Sequence, residues 1–211
     1  MKRAFIFDMD GVIIDSEPLH TATKMETFHH FGIPFEKRRL EQYAGRTSKE
    51  LFSDALADCP TELTWKDLAD YKHQLYIDRL THTADIVPIP GVVQLIARLH
   101  AKGNLLAVAS STGRNIIEMV LRRFGLRHYF TAIISGAELP QSKPDPAIYR
   151  KAANALGIVP AHCTVIEDAT AGIAAAKAAG MTCIAYHNPN SGNQDLSHAD
   201  WIAESFDRIE P

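Results

Sequence analysis

The residues best suited to chemistry stand where apolar runs stop. Asp8 and Asp10 follow Ala4-Phe5-Ile6-Phe7, Ser110 follows Leu105-Leu106-Ala107-Val108-Ala109, and Glu167-Asp168 follow Thr164-Val165-Ile166. Lys143 lies in Ser142-Lys143-Pro144-Asp145, downstream of Ala132-Ile133-Ile134. Carboxylates gathered this closely repel one another, and a hard cation with oxygen ligands, most simply Mg²⁺, relieves the repulsion. Mg²⁺ takes roughly one or two carboxylates and leaves its other positions to water and substrate phosphate, which suits Asp8 and Asp168 sharing one ion. Lys143 adds a compact positive charge able to hold a phosphate oxygen together with Asp8. Ser110 can donate to a phosphoryl group, helped by the N-terminus of the next helix. An aspartate beside a cation is a competent nucleophile toward phosphorus, and a second one two residues on can move the proton. Each signal alone has a plainer reading: an acidic pair at a strand end, a serine or Glu-Asp helix cap, a solvated Lys-Pro turn. Taken in order, each after a successive apolar run, they point jointly to phosphoryl transfer.

The elements that must position these residues follow from periodicity. The four runs, with Thr182-Cys183-Ile184-Ala185, are apolar throughout and alternate with helical patterns at 92–101, 115–124, 146–156 and 169–179. Such strands belong to a parallel sheet covered on both faces. From Leu19 to about Leu80 the pattern is instead helical and charged, with Phe28, Phe31, Leu51, Phe52, Ala55 and Leu56 at steps of three and four. The expected fold class is therefore α/β: a Rossmann-like parallel sheet core with an inserted α-helical cap domain after the first strand. In open parallel sheets ligands bind beyond the carboxyl ends of the strands, where the acids, the serine and the lysine fall.

Length and composition narrow the class. The 211 residues correspond to roughly 1.4 domains, a core with an insertion. Acids number 25 against 22 Lys and Arg, a net charge of −3; no basic excess marks a nucleic-acid or anionic-membrane binder. A small anionic substrate remains compatible. Cys59, Cys163 and Cys183 are far apart and form no C-x-x-C pair, so they are expected to be reduced, the latter two as buried small hydrophobes. The start, Met1-Lys2-Arg3 and a short apolar run ending at Asp8, is neither signal peptide nor membrane span, and a cytoplasmic protein is expected. His29-His30 read as solvated, and no spaced histidine pair suggests zinc.

The chain resembles the haloacid-dehalogenase-like superfamily of phosphotransferases along nearly its whole length. The carriers are Phe7-Asp8-Met9-Asp10-Gly11-Val12, Ala109-Ser110-Ser111, Ser142-Lys143-Pro144-Asp145-Pro146 and Ile166-Glu167-Asp168-Ala169-Thr170-Ala171-Gly172. The resemblance implies Asp8 as nucleophile, Asp10 as general acid and then base, and Ser110 and Lys143 as holders of the phosphoryl group, with Ser111 beside them. It implies Mg²⁺ on Asp8, the Asp10 carbonyl and Asp168, with Glu167 nearby. Within the superfamily the likeness is to β-phosphoglucomutase and small sugar-phosphate phosphatases, which carry a helical cap after the first strand. The expected division is 1–15 with 88–211 as core and 16–87 as cap. Candidate cap contacts to substrate are His20, Arg46, Lys49 and Lys72. His20 and Lys72 match a histidine and a cap lysine that steer the acid/base aspartate in the mutase; Arg46 directly after Gly45 departs from the mutase spacing. The expected activity is a Mg²⁺-dependent phosphatase of small phosphorylated metabolites, with the mutase as alternative and a monomer or weak homo-oligomer as its state. Two other classes stay open: a metal-dependent nucleotide-sugar transferase, which needs neither the lysine nor the second acidic pair, and a non-catalytic binding protein on the same fold.

Overall fold

The computed structural model describes residues 3–43, 47–83 and 86–209. Strand β1 (Ala4–Phe7) is completely buried, as a four-residue apolar run must be if it lies at the middle of a sheet. The chain then leaves the sheet for helices α1 (Glu17–His30), α2 (Ser48–Leu56) and α3 (Trp65–His82). It returns through α4 (Val92–Ala101), β2 (Leu105–Ser110), α5 (Arg114–Arg123), β3 (Ala132–Ser135), α6 (Ala147–Leu156), β4 (Cys163–Glu167), α7 (Thr170–Ala178), β5 (Thr182–Tyr186) and β6 (Trp201–Ala203). The sheet is six-stranded in the order β3-β2-β1-β4-β5-β6, and every pairing is parallel. From β1 the strands step outward through β2 and β3, then cross to β4 on the other flank. The carboxyl ends of β1 and β4 thus flank the switch point where open α/β sheets hold ligands.

Two compact units result: Met1–Asp15 with Asp85–Pro211, and Ser16–Ala84. In the first unit Ala4, Ile6, Ala107, Ala109, Val165, Cys183 and Ala185 of the sheet meet Tyr149, Ala152 and Ala153 of α6 and Ile173, Ala175 and Ala176 of α7. The alanines shorten the side chains between helix and sheet, so the backbones pack closely. Phe7 meets Phe130 edge to face, with ring centroids 5.9 Å apart. Cys163 and Cys183 are free and buried, and burial raises their thiols to about 11 and about 12; they are packing residues.

The second unit has its own small core of Phe28, Ile33, Leu51, Phe52, Ala55 and Leu68. Its helices start where their sequences tell them to. Thr47 accepts from the Glu50 amide and Glu50 answers to the Thr47 amide, and Thr64 and Asp67 repeat this capping box at α3.

The expected elements form within one or two residues of their sequence limits. Residues 86–209 fall with the sheet unit, where Ile14 bridges Pro88 and the Ile89 amide donates to the Ile13 carbonyl at 2.9 Å. These contacts tie the returning chain to the outgoing one at Pro88 and Ile89. Strand β6 was not anticipated: it has only three residues, and Trp201 and Ile202 are exposed, so no apolar periodicity marks it. Among the described residues no helix is long and apolar enough to cross a membrane.

Candidate active site

The turn leaving β1 separates two aspartates that are only two residues apart. The Asp8 amide still pairs with the Ile166 carbonyl at 2.9 Å, holding Asp8 at the sheet's central end. Gly11, at φ +81°, then reverses the chain, and its amide donates to the Ile14 carbonyl at 2.8 Å. Asp10 is carried toward the end of β2. There its Oδ2 accepts from Thr112 Oγ1 at 2.8 Å and from Ser110 Oγ at 3.3 Å. Ser110 Oγ also accepts from the Thr112 amide at 3.1 Å, and Ser135 Oγ donates to the Thr112 carbonyl at 2.8 Å. The two carboxylates therefore occupy different environments, which is how paired acids acquire different roles.

Asp8 belongs to a buried charge cluster. Lys143 Nζ donates to Asp8 Oδ1 at 2.6 Å, to Glu167 Oε1 at 2.7 Å and to the Ala109 carbonyl at 3.3 Å. Burial opposes the Lys143 charge, but Asp8 and Glu167 outweigh it and hold the ammonium well above its ordinary value. The same ammonium outweighs burial at Glu167 and keeps that carboxyl low. Tyr149 Oη donates to Glu167 Oε1 at 2.8 Å, and the Asp168 and Ala169 amides donate to Oε2 at 2.8 and 2.9 Å. Both Glu167 oxygens are thus engaged. Glu167, which the resemblance places near the ion, also has the geometry of an anchor for Lys143 and for the turn out of β4. Gly172 makes room for it: a Cβ there would lie 1.7 Å from Glu167 Oε1.

Asp168 completes the set. Asp8, Glu167 and Asp168 are 7%, 1% and 6% exposed, and each offers an oxygen within 4.8 Å of the others. Burial, and then Glu167 and Asp10, push the Asp168 carboxyl up to about 7. Burial pushes Asp8 well above the usual carboxylate range even against Lys143. One ammonium is not enough cation for these acids. An all-oxygen donor set whose ionisation is resisted this strongly fits a hard divalent ion such as Mg²⁺, with Asp8 and Asp168 as its carboxylates. Asp168 is closely fitted: a Cβ on Gly11 would lie 2.0 Å from its Oδ2, and Ser191 Oγ donates to that same oxygen. Asp145, the other acid of the Lys143 segment, caps α6 through the Ala147 amide at 2.8 Å.

Within the helical unit two of the candidates, His20 and Lys72, lie against each other. Lys72 Nζ lies 2.8 Å from His20 Nδ1 and 4.9 Å from the Tyr76 ring centroid, and His20 stacks on Tyr76 at 4.3 Å. Burial, then Lys72 and Lys24, lower His20 to about 3. The imidazole is therefore neutral, and Nδ1 accepts from Lys72, which puts its proton on Nε2. Lys49 is exposed, its ammonium 5.8 Å from the Trp65 ring centroid. Arg46 lies outside the described residues. Ser111 is exposed beside Ser110.

The structure thus gathers Asp8, Lys143, Glu167 and Asp168 in one cluster, and Asp10 with Ser110 in another. It adds Thr112, Tyr149 and Ser191, which motif reading passes over. Thr112 has a signal, the last of three successive hydroxyl residues from Ser110; Ser191 has one too, in the polar run His187-Asn188-Pro189-Asn190-Ser191 after β5. A tyrosine within an apolar helix face carries none.

Residues 5–186 match the family described as haloacid dehalogenase-like hydrolase. The chain belongs to that family. Among its haloacid dehalogenase-like relatives, the fructose-1-phosphate phosphatase YqaB of Escherichia coli is 30% identical over 85% of this chain and 93% of its own. The β-phosphoglucomutase of Bacillus subtilis is 33% identical over 86% of this chain and 82% of its own. The structure of CbbY from Rhodobacter sphaeroides in complex with phosphate superposes with a TM-score of 0.84 at 28% identity, covering 99% of this chain and 96% of that one. The chain is a haloacid-dehalogenase-type hydrolase of the branch that holds sugar-phosphate phosphatases and β-phosphoglucomutase.

Proposed function

We propose that this protein is a Mg²⁺-dependent phosphatase of small phosphorylated metabolites, sugar phosphates foremost, acting through an aspartyl-phosphate. The observation that carries the reading is the division of labour between Asp8 and Asp10. Asp8 lies against Lys143 in the charge cluster, whereas Asp10 is held apart by two hydroxyls. An Asp8 oxygen attacks phosphorus while the bond from phosphorus to the ester oxygen breaks, and Asp10 gives its proton to the departing alkoxide. Asp10 then takes a proton from water, whose oxygen attacks the phosphorus and releases Asp8 and inorganic phosphate. Lys143 and Ser110 bind phosphoryl oxygens, Glu167 holds Lys143, and Asp8, Asp168 and the Asp10 carbonyl would hold the ion. When bound, Mg²⁺ offsets negative charge among the acids and phosphate. The helical unit supplies specificity, with His20, Arg46, Lys49 and Lys72 as its candidate contacts and Ser111 as one from the core. Relatives named as a fructose-1-phosphate phosphatase and a β-phosphoglucomutase support a sugar phosphate. We place the activity in the cytoplasm.

Phosphorylated sugars, nucleotides and pyrophosphate incubated with the enzyme and Mg²⁺ should release phosphate, with sugar phosphates turned over best. Asp8→Asn should lower kcat by at least about 10³-fold while the fold is kept. Normal turnover in Asp8→Asn would overturn the mechanism. The contact of His20 with Lys72 favours a second reading, the mutase, because the resemblance assigns that pair to phosphoglucomutase. β-Glucose 1-phosphate with a trace of bisphosphate decides: a phosphatase liberates phosphate, and a mutase accumulates glucose 6-phosphate.

A further inference from the structure

The loop leaving β5 is tied to two arms of the proposed metal site. Asn188 is 5% exposed, an unusual burial for a loop amide unless its polar atoms are satisfied. Its Nδ2 donates to the Gly11 carbonyl at 3.1 Å, and its Oδ1 accepts from the Asn190 amide at 2.9 Å. Gly11 is thereby held from both ends, since its amide already donates to Ile14. Three residues on, Ser191 donates to Asp168 Oδ2. The loop is fastened beyond this point. Gln194 Oε1 accepts from the Thr170 amide at 2.9 Å, and Gln194 Nε2 donates to the Ser191 carbonyl at 3.0 Å. Ser191 is therefore anchored to the first turn of α7, the helix that follows Asp168.

We propose that Asn188 and Ser191 are positioning residues for the metal ligands, Ser191 holding the Asp168 carboxylate and Asn188 holding the turn that carries Asp10. The inference rests on the metal site proposed above. Asp168 Oδ2 meets both the bare Cα of Gly11 and the Ser191 hydroxyl, so the carboxylate has little freedom to rotate. With Oδ2 committed to Ser191, the carboxylate is preset to give one oxygen to the ion. That matters for Mg²⁺, which demands near-ideal octahedral geometry and tolerates displaced ligands poorly. Partners that orient metal ligands contribute roughly 10–100-fold in metal affinity.

Mg²⁺ binding to the purified full-length protein, measured by isothermal titration calorimetry, tests this. Ser191→Ala and Asn188→Ala should each weaken Mg²⁺ by about 10–100-fold, and Ser191→Thr, which keeps the hydroxyl, should restore most of the loss. Melting in EDTA is followed in parallel. A variant with a lowered metal-free Tm but wild-type Mg²⁺ affinity gives the loop a structural role only and overturns the inference. Asp168→Asn separates the two levels. If it abolishes Mg²⁺ binding while Ser191→Ala and Asn188→Ala bind as wild type does, the positioning inference fails and the metal site stands. If Asp168→Asn binds Mg²⁺ as well as wild type does, the metal site itself fails.

Discussion

At the residue scale the site turns on how one ammonium and two hydroxyls sort the acids. Lys143 is the one ammonium shared by buried Asp8 and Glu167, so removing it leaves two buried carboxylates with no cation between them. Breaking a buried ion pair by deleting one partner costs about 3–5 kcal/mol. Lys143→Met should lower metal-free stability by that amount, read from urea unfolding, and should abolish phosphate release. A loss under about 1 kcal/mol, within the range of an exposed ion pair, would show that the cluster is far more solvated than its 9% side-chain exposure implies. Thr112 makes the other test. Its hydroxyl holds Asp10 at 2.8 Å, and Thr112→Val removes it at nearly constant volume. Acid–base catalysis supplies roughly 10²–10⁴-fold, so misplacing Asp10 should reduce kcat by about 10–100-fold with KM little changed. An unchanged kcat would remove Thr112 from the machinery.

At the element scale the decisive features are the places where a helix or turn comes close enough to hold an acid. A Cβ at Gly172 would collide with Glu167 Oε1, which Lys143 and Tyr149 hold while two amides hold Oε2. Gly172→Ala therefore should push Glu167 off Lys143 and lower both Tm and kcat, although alanine is the better helix former by about 1 kcal/mol. A raised Tm in Gly172→Ala, the result expected from propensity alone, would show that α7 yields instead. The sequence made the acids and the strands legible, because apolar runs ending in charge reveal a parallel sheet and its carboxyl ends together. It could not show that Glu167 would spend both oxygens inside the protein, since an acid's partners depend on three elements meeting, β4, α6 and the Lys143 loop. Nor did it mark Asn188: a buried amide in a loop carries no periodicity, and its partner Gly11 is 177 residues away. In the helical unit, by contrast, the capping boxes at Thr47 and Thr64 are wholly local. Thr64→Ala should cost about 1 kcal/mol without changing kcat on any substrate.

At the scale of the whole molecule, a net charge of −3 hides two titrations of opposite sign. Asp168 is raised from 3.8 to about 7 in the fold, so the folded chain binds the proton more tightly than the unfolded chain. That contribution is fully present below about pH 3.8 and is lost as pH rises through about 7. His20 is lowered from 6.5 to about 3. Its contribution is fully present above pH 6.5 and is lost as pH falls toward 3. The two slopes therefore oppose each other between pH 4 and 6.5 in metal-free wild type. Mg²⁺ would act on one side of this balance, because binding it requires ionised Asp168. The Tm gained on adding saturating Mg²⁺ should be small at pH 5, grow to about pH 7 and then level off. His20→Gln in EDTA should remove the opposing slope and leave the raised carboxyls Asp168 and Asp8, with Tm declining from pH 4.5 to 7. A Mg²⁺-induced rise in Tm that is equal at pH 5 and pH 8 would mean that the ion does not compete with a proton on Asp168. Such a result would move the cation away from the ends of β1 and β4.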